Sequence, residues 1–164
     1  MNILKFLLWL IVAIVCQVLV FDHLSFYGGI VLIYAVTLVK MPVEMNRVAQ
    51  IFLGFLTGFV IDVFSNTPGM HSLAATTLMF MRDPVLHLYV NDPEYKSGNV
   101  SMTRIGLSTF FRFVLTMVLL QSTMLYVLEA FSLFNPMFLL SKILISTALT
   151  LVMAMAAEVV TVKK

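Results

Sequence analysis

The chain has 164 residues, of which 61% are hydrophobic and 11% are charged, and its mean hydropathy is +1.03. A soluble domain carries about twice that share of charged residues, so this composition excludes an ordinary water-soluble fold. The net charge of +2 is too small to indicate nucleic-acid binding, and a single cysteine, Cys16, excludes a disulfide within the chain.

Six apolar segments follow one another along the chain. In a bilayer only helices and closed barrels satisfy the backbone, and these apolar runs are continuous where barrel strands would alternate. The sequence therefore predicts an all-α integral membrane protein with six transmembrane helices, formed as one domain by residues 1–164. A span needs about 20 residues, so the second, third and fourth segments are short. The predicted segments are 3–21, 24–39, 48–64, 70–81, 105–131 and 136–162.

The fourth segment is the shortest. It reaches Arg82-Asp83-Pro84 after about 12 residues, which is roughly 18 Å of helix. Two alternatives lengthen it. The helix continues past a kink at Pro84 to Tyr89, or the loop 65–69 lies below the outer surface, where irregular backbone is tolerated only against protein or water. We expect a mixture of both.

The basic residues predict the orientation. Lys and Arg flank the second and fourth loops and the chain ends, and the first, third and fifth loops have none. Positive charge collects on the cytoplasmic side, so we expect both termini and the loop 91–99 to be cytoplasmic. Lys142 is an exception that we expect to snorkel outward. The residues that carry the prediction are Lys40, Arg47, Arg82 and Arg104.

The third segment has a patterned face. Gln50, Gly54, Gly58 and Asp62 recur every four residues, so they share one side of a helix, and bulky residues such as Phe59 occupy the other side. Glycines spaced by four allow another helix to approach closely. We expect Gln50, Gly54 and Gly58 to form a helix contact, either inside the chain or with a partner.

Asp62 and His71 are the ionisable groups of this region. Asp62 is either a solvated acid at a helix end, or a group that faces an outer pocket and pairs with His71 or Gln17. Asn66, in the polar loop between them, is a further pocket candidate. One Asp and one His make a poor metal site, and no nucleophile motif surrounds the nearby serines. We therefore expect no enzymatic activity, metal or cofactor. Gln17 and Gln121 are predicted to form hydrogen bonds between helices.

The block from Gly54 to His71 resembles the most characteristic part of the rod shape-determining protein MreD family. It consists of Gly54-Phe55-x-x-Gly58-x-x-x-Asp62 followed by Gly69-x-His71. One departure is local: many members have a proline early in the second span, where this chain has Gly28-Gly29-Ile30-Val31. Other stretches that fit the family are Gln17, Met41-Pro42-Val43-Glu44, Arg82-Asp83-Pro84 and Leu128-Glu129-Ala130-Phe131.

The resemblance implies a protein of the bacterial inner (cytoplasmic) membrane. It implies a non-enzymatic scaffold or regulator of cell elongation that helps organise lateral peptidoglycan synthesis and rod shape. It implies binding to the membrane protein MreC and proximity to MreB, RodA and the partner transpeptidase of RodA. It also implies a fold similar to the substrate-binding subunits of energy-coupling-factor transporters. The alternative is a solute- or lipid-binding subunit of a transporter, with Asp62, His71, Gln17 and Asn66 at an outward-facing pocket. Contact with membrane lipid is expected, and association with further copies stays open.

Overall fold

The computed structural model describes residues 3–24, 28–90, 100–130 and 136–162, and most of them are helical. A short 3-10 turn, Phe21–His23, follows the first helix. The predicted loop 91–99 lies outside the described residues. The helices, in chain order, are α1 (Ile3–Leu19), α2 (Ile33–Val39), α3 (Arg47–Ser65), α4 (Met70–Tyr89), α5 (Met102–Ile105), α6 (Leu107–Ala130) and α7 (Pro136–Val162).

Within the described residues, four helices are long and apolar enough to cross a membrane, which agrees with an all-α membrane protein. They correspond to the first, third, fifth and sixth predicted segments. The ends of α3 and α7 lie within one residue of the predicted bounds, because a long apolar run has few alternatives. The four membrane-compatible stretches are Ile3–His23, Arg47–Ser65, Leu107–Ala130 and Pro136–Val159.

Helix α4 continues through Pro84 to Tyr89, so Arg82-Asp83-Pro84 lies inside a helix of 20 residues. A proline lacks the backbone N–H that would bond to the carbonyl four residues earlier, which here belongs to Phe80. Arg47 Nη2 lies 3.4 Å from this carbonyl oxygen. Its guanidinium also lies 5.2 Å from the centre of the Phe80 ring. Arg47 thus compensates for the break at Pro84, and the predicted continuation past the proline is confirmed.

The second predicted helix, 24–39, is wrong in its first half. Helix α2 begins only at Ile33, and residues 28–32 are non-helical. Gly28 has a φ of +79°, which side chains rarely allow, and a Cβ on Gly29 would lie 3.1 Å from the backbone nitrogen of Ser146. Gly28 is therefore favoured by its backbone conformation, and Gly29 by a tight contact with α7. The pair Gly28-Gly29 is the signal in the sequence for this break.

Helix α2 lies at the centre of the fold, where Tyr34, Ala35, Leu38 and Val39 are fully buried. It contacts α1, α4, α6 and α7. Residues 30–40 run alongside α7, because Ile30, Leu32 and Lys40 pair with Ser146, Thr150 and Glu158 respectively. Residues 146 to 158 of a helix rise by about 18 Å, so the non-helical stretch and α2 together run parallel to α7 over that distance.

Candidate functional site

The glycine face of α3 contacts α4 within the same chain. A Cβ on Gly58 would lie 2.3 Å from the carbonyl oxygen of His71, and a Cβ on Gly54 would lie 2.6 Å from Met79 Cγ. Real side chains do not approach so closely, so only glycine permits this contact at Gly58, where α4 presents backbone. Of the two alternatives for the glycine face, the structure shows the contact inside the chain.

Asp62 is buried and serves as the cap of α4. Its Oδ1 accepts hydrogen bonds from Thr67 Oγ1 at 2.8 Å and from the backbone N–H of His71 at 2.9 Å. Its Oδ2 accepts from the backbone N–H of Ser72 at 2.8 Å and from the Ser72 hydroxyl. The first N–H groups of a helix have no partner within the helix and carry partial positive charge. Gly69, at the N-cap position, has no side chain that could accept hydrogen bonds from these N–H groups. Asp62 of the preceding helix accepts them instead.

His71 begins a hydrogen-bonded chain that crosses the core. Its ring Nδ1 pairs with the Tyr34 hydroxyl at 2.9 Å, and Gln121 Nε2 donates to the same hydroxyl at 2.7 Å. The three side chains come from α4, α2 and α6 and are all buried. The structure thus pairs the His71 ring with Tyr34, a residue that the sequence reading did not single out, and confirms Gln121 as an interhelical hydrogen-bonding group.

A second polar group joins the ends of α1 and α3. Gln17 Nε2 donates to Asp22 Oδ1 at 2.8 Å, and the Ser65 hydroxyl donates to the other oxygen of Asp22. Asn66 ends α3 in a left-handed conformation, with φ of 54°, and its side chain is exposed. Asparagine tolerates this conformation better than most residues, which explains its place in the turn.

Gln17 also fixes the non-helical stretch before α2. Its Oε1 accepts from the backbone N–H of Ile33 at 2.9 Å, and its Nε2 donates to the carbonyl of Val31 at 3.0 Å. Gln17 is fully buried. Irregular backbone inside an apolar protein needs such partners, because each unpaired buried group costs about 1–3 kcal/mol.

Helices α6 and α7 supply further partners of this stretch. The backbone N–H of Ile30 donates to the Tyr126 hydroxyl at 2.9 Å, and the N–H of Leu32 donates to Thr150 Oγ1 at 3.0 Å. The Ser146 hydroxyl donates to the carbonyl of Ile30. Sequence reasoning missed these roles, because a Ser, Thr or Tyr on a membrane helix most often bonds locally or packs.

Arg82, predicted to flank the fourth loop, is fully buried in α4. Its guanidinium donates to the carbonyls of Val39 and Met41, at and beyond the end of α2, and to Gln50 Oε1 at 2.8 Å. Cations stabilise helix C-termini because the last carbonyls carry partial negative charge. Gln50, predicted as part of the contact face, therefore links α3 to α4 through Arg82.

The other basic residues of the topology prediction lie at the same end of the molecule as Arg82. Arg104 is exposed on α5. Lys40 forms an ion pair with Glu158, which is buried in α7. Glu158 Oε1 also accepts the backbone N–H of Met102 at 2.8 Å. At the opposite end Lys142, expected to snorkel outward, lies 2.8 Å from the Glu129 carboxylate.

A groove lies beside the capped end of α4. It has a volume of about 530 Å³, and its walls are formed by Phe55, Phe59 and Val63 of α3 and Leu73 of α4. The rings of Phe55 and Phe59 stack with their centroids 6.0 Å apart. Asp62 and Ser72 also line it, but both are occupied by the cap described above. The groove is therefore a mainly apolar surface feature with a fixed polar end.

The arrangement of Asp62, Ser72 and His71 differs from a catalytic triad. In a triad the histidine bridges the acid and the nucleophile. Here the Ser72 hydroxyl bonds directly to Asp62, and the His71 ring points to Tyr34. No group of three metal-ligating side chains occurs within the described ranges. The geometry thus favours a structural role for these residues.

No protein family, curated protein or solved structure matches this chain.

Proposed function

We propose that this chain is a non-enzymatic membrane scaffold of the bacterial cell-elongation machinery, as its resemblance to the MreD family implies. The observation that supports the proposal best is the hairpin of α3 and α4. Its glycines, Asp62 and Ser72 serve internal contacts, and it presents an apolar groove outward. A hairpin with an apolar outer surface is better suited to binding a partner's transmembrane helix than to catalysis.

Six crossings of the inner membrane, with both termini in the cytoplasm, belong to this proposal. The Ser65 hydroxyl at the end of α3 bonds to Asp22, just after α1, so these two helices end on the same side of the molecule. In the proposed topology the chain between them returns across the membrane. Residues 30–40 follow α7 for about 18 Å, which supports such a return. In a chain with only four crossings, α1 and α3 would end on opposite sides.

The groove formed by Phe55, Phe59, Val63 and Leu73 is the proposed docking site for the single transmembrane helix of MreC. Two helices that are fixed against each other form its walls, so little ordering is needed when a partner binds. Membrane helices associate through close packing, and aromatic walls offer a large contact area. MreB, RodA and its transpeptidase would be reached through MreC.

Co-purification of the intact chain with tagged MreC from the same bacterium tests this proposal. The double variant Phe59→Ala and Leu73→Ala removes one side chain from each wall. We expect recovery of the chain with MreC to fall about tenfold, which corresponds to about 1.4 kcal/mol. The amount of each variant in the membrane fraction shows whether it inserts normally.

Phe52→Ala provides the matched control, since Phe52 is exposed on α3 outside the groove. We expect this variant to co-purify as the wild type does. Undiminished recovery of the double variant, or an equal loss with Phe52→Ala, would reject the groove as the docking site.

The second candidate is a solute- or lipid-binding subunit, and the same groove favours a lipid over a polar solute. The polar groups at its end are already hydrogen-bonded within the chain, so its free walls are apolar. Native mass spectrometry of the purified chain should then show a retained lipid that is lost in the double variant. Loss of such a lipid without loss of MreC binding would favour this candidate over the scaffold.

A further inference from the structure

Only one end of the Gln121 side-chain amide has a hydrogen-bond partner among the described residues. Its Nε2 donates to the Tyr34 hydroxyl, but its Oε1 has no hydrogen-bond partner among the described residues. The hydroxyl of Ser122, the next residue of α6, is likewise unpartnered within the described part of the chain. Both residues are fully buried, with 0% of each exposed. Two successive residues of one helix therefore place unpaired oxygen atoms in the core.

The buried position of Gln121 makes an oxygen without a hydrogen-bond partner energetically costly. It lies nine residues before the end of α6 at Ala130, about 14 Å along the helix axis. Its neighbours on α6 include the buried apolar side chains of Met117, Val118 and Leu125. A buried polar atom without a partner costs about 1–3 kcal/mol, whereas Met or Leu at this site would carry no such cost. Buried polar groups normally have a partner, which can be an ordered water.

The chemistry of the two oxygens identifies the partner. An amide oxygen only accepts hydrogen bonds, so Gln121 Oε1 requires a donor, and a serine hydroxyl both donates and accepts. The Tyr34 hydroxyl, which accepts from Gln121 Nε2, already pairs with His71 Nδ1. A water molecule donates two hydrogen bonds and accepts two, and buried waters typically make about three. A cation is disfavoured, because one amide and one hydroxyl form an incomplete ligand set.

We propose that Gln121 Oε1 accepts a hydrogen bond from an internal water molecule in the core of the helix bundle. The water extends the chain from His71 through Tyr34 to Gln121. It also orients the amide of Gln121, because a bound donor at Oε1 keeps Nε2 directed toward Tyr34. The inference is independent of the proposed scaffold function.

An experimental structure of the whole chain, at a resolution that shows ordered water, tests the proposal directly. We expect a single water peak within hydrogen-bond distance of Gln121 Oε1 in the wild type and its loss in Gln121→Met. Thr123→Val is the matched control, because the Thr123 hydroxyl donates to the carbonyl of Leu119 in its own helix at 2.7 Å. This variant should keep the peak.

A second measurement needs no variant. The chain has three glutamines, at positions 17, 50 and 121, so labelling with ¹⁵N-glutamine gives three side-chain amide signals. After assignment in detergent micelles, the Gln121 amide should show a nuclear Overhauser effect to long-lived water. The amides of Gln17 and Gln50, which donate to protein oxygens, provide the reference.

Three results would overturn the proposal. The first is an empty site with no water contact for Gln121 in either experiment. The second is density larger than water, or a bound small molecule in the mass spectrum, which would make Gln121 part of a solute site. The third is an amide in the reverse orientation, with Oε1 accepting from Tyr34.

Discussion

At the scale of single residues, Gly58 and Gly54 share a face of α3 but meet different atoms of α4. A Cβ on Gly58 would lie 2.3 Å from the carbonyl oxygen of His71, whereas one on Gly54 would lie 2.6 Å from Met79 Cγ, in a flexible side chain, and 2.9 Å from the carbonyl oxygen of Ala75. We expect Gly58→Ala to lower the free energy of unfolding by about 1–3 kcal/mol, the range typical of overpacking, and Gly54→Ala to lower it less. Thermal unfolding in detergent micelles measures both.

Val63→Ala, at an exposed position of the same helix, is the control for the glycine variants and should change stability little. Equal stability of Gly58→Ala and the wild type would mean that α3 and α4 do not pack as described. Because Gly54 and Gly58 support the hairpin itself, substitutions there report on folding, and the groove residues are the ones that report on partner binding.

The carboxylate of Asp62 gives the second prediction. It accepts hydrogen bonds from two backbone N–H groups and two hydroxyls, and an asparagine offers only one oxygen for these donors. We expect Asp62→Asn to destabilise the protein by about 1.5–3 kcal/mol, the value for hydrogen bonds to charged groups. Thr67→Val removes one hydroxyl donor only and should cost about 0.5–1.5 kcal/mol. The reverse order of the two variants in thermal unfolding would argue against the cap.

At the scale of elements, the non-helical stretch before α2 depends on side chains of its neighbours. Gln17→Leu would leave the carbonyl of Val31 and the N–H of Ile33 without their partner. We expect a loss of about 2 kcal/mol or more, since each unpaired buried group costs about 1–3 kcal/mol. Hydrogen exchange should accelerate at the amide of Ile33.

Thr37→Val is the control at this scale, because the Thr37 hydroxyl donates to the carbonyl of Ile33 within α2 itself. It should leave the exchange rate of Ile33 close to that of the wild type. Unchanged exchange in Gln17→Leu would show that α1 does not hold this stretch.

The same elements show what the sequence could predict. The ends of α3 and α7 could be predicted to within one residue, because a long apolar run in a membrane has few alternatives to a helix. The break before α2 was missed, because hydropathy does not register the glycine pair and the supporting hydroxyls lie more than 90 residues away. The burial of Arg82 could not be predicted for a similar reason: the carbonyls at the end of α2 that accept its hydrogen bonds are brought to it by tertiary structure.

At the scale of the whole molecule, the number of crossings decides which loops face outward. With six crossings and the N-terminus inside, the loop at Glu44 is cytoplasmic and the loop at Asn66 is external. With only α1, α3, α6 and α7 crossing, the two loops exchange sides. Both residues are exposed, so single cysteines there can be labelled. This pair therefore discriminates between the two topologies better than any site near the termini.

We expect a membrane-impermeant maleimide, added to intact spheroplasts, to label Asn66→Cys and to label Glu44→Cys only after permeabilisation. Cys16, the single native cysteine, is replaced by serine first. Ser132→Cys should behave like Asn66→Cys, and Ser97→Cys like Glu44→Cys, although both serines lie outside the described residues. External labelling at 44 with protection at 66 would establish four crossings. It would also contradict the contact between Ser65 and Asp22, because the ends of α1 and α3 would then lie on opposite sides of the membrane.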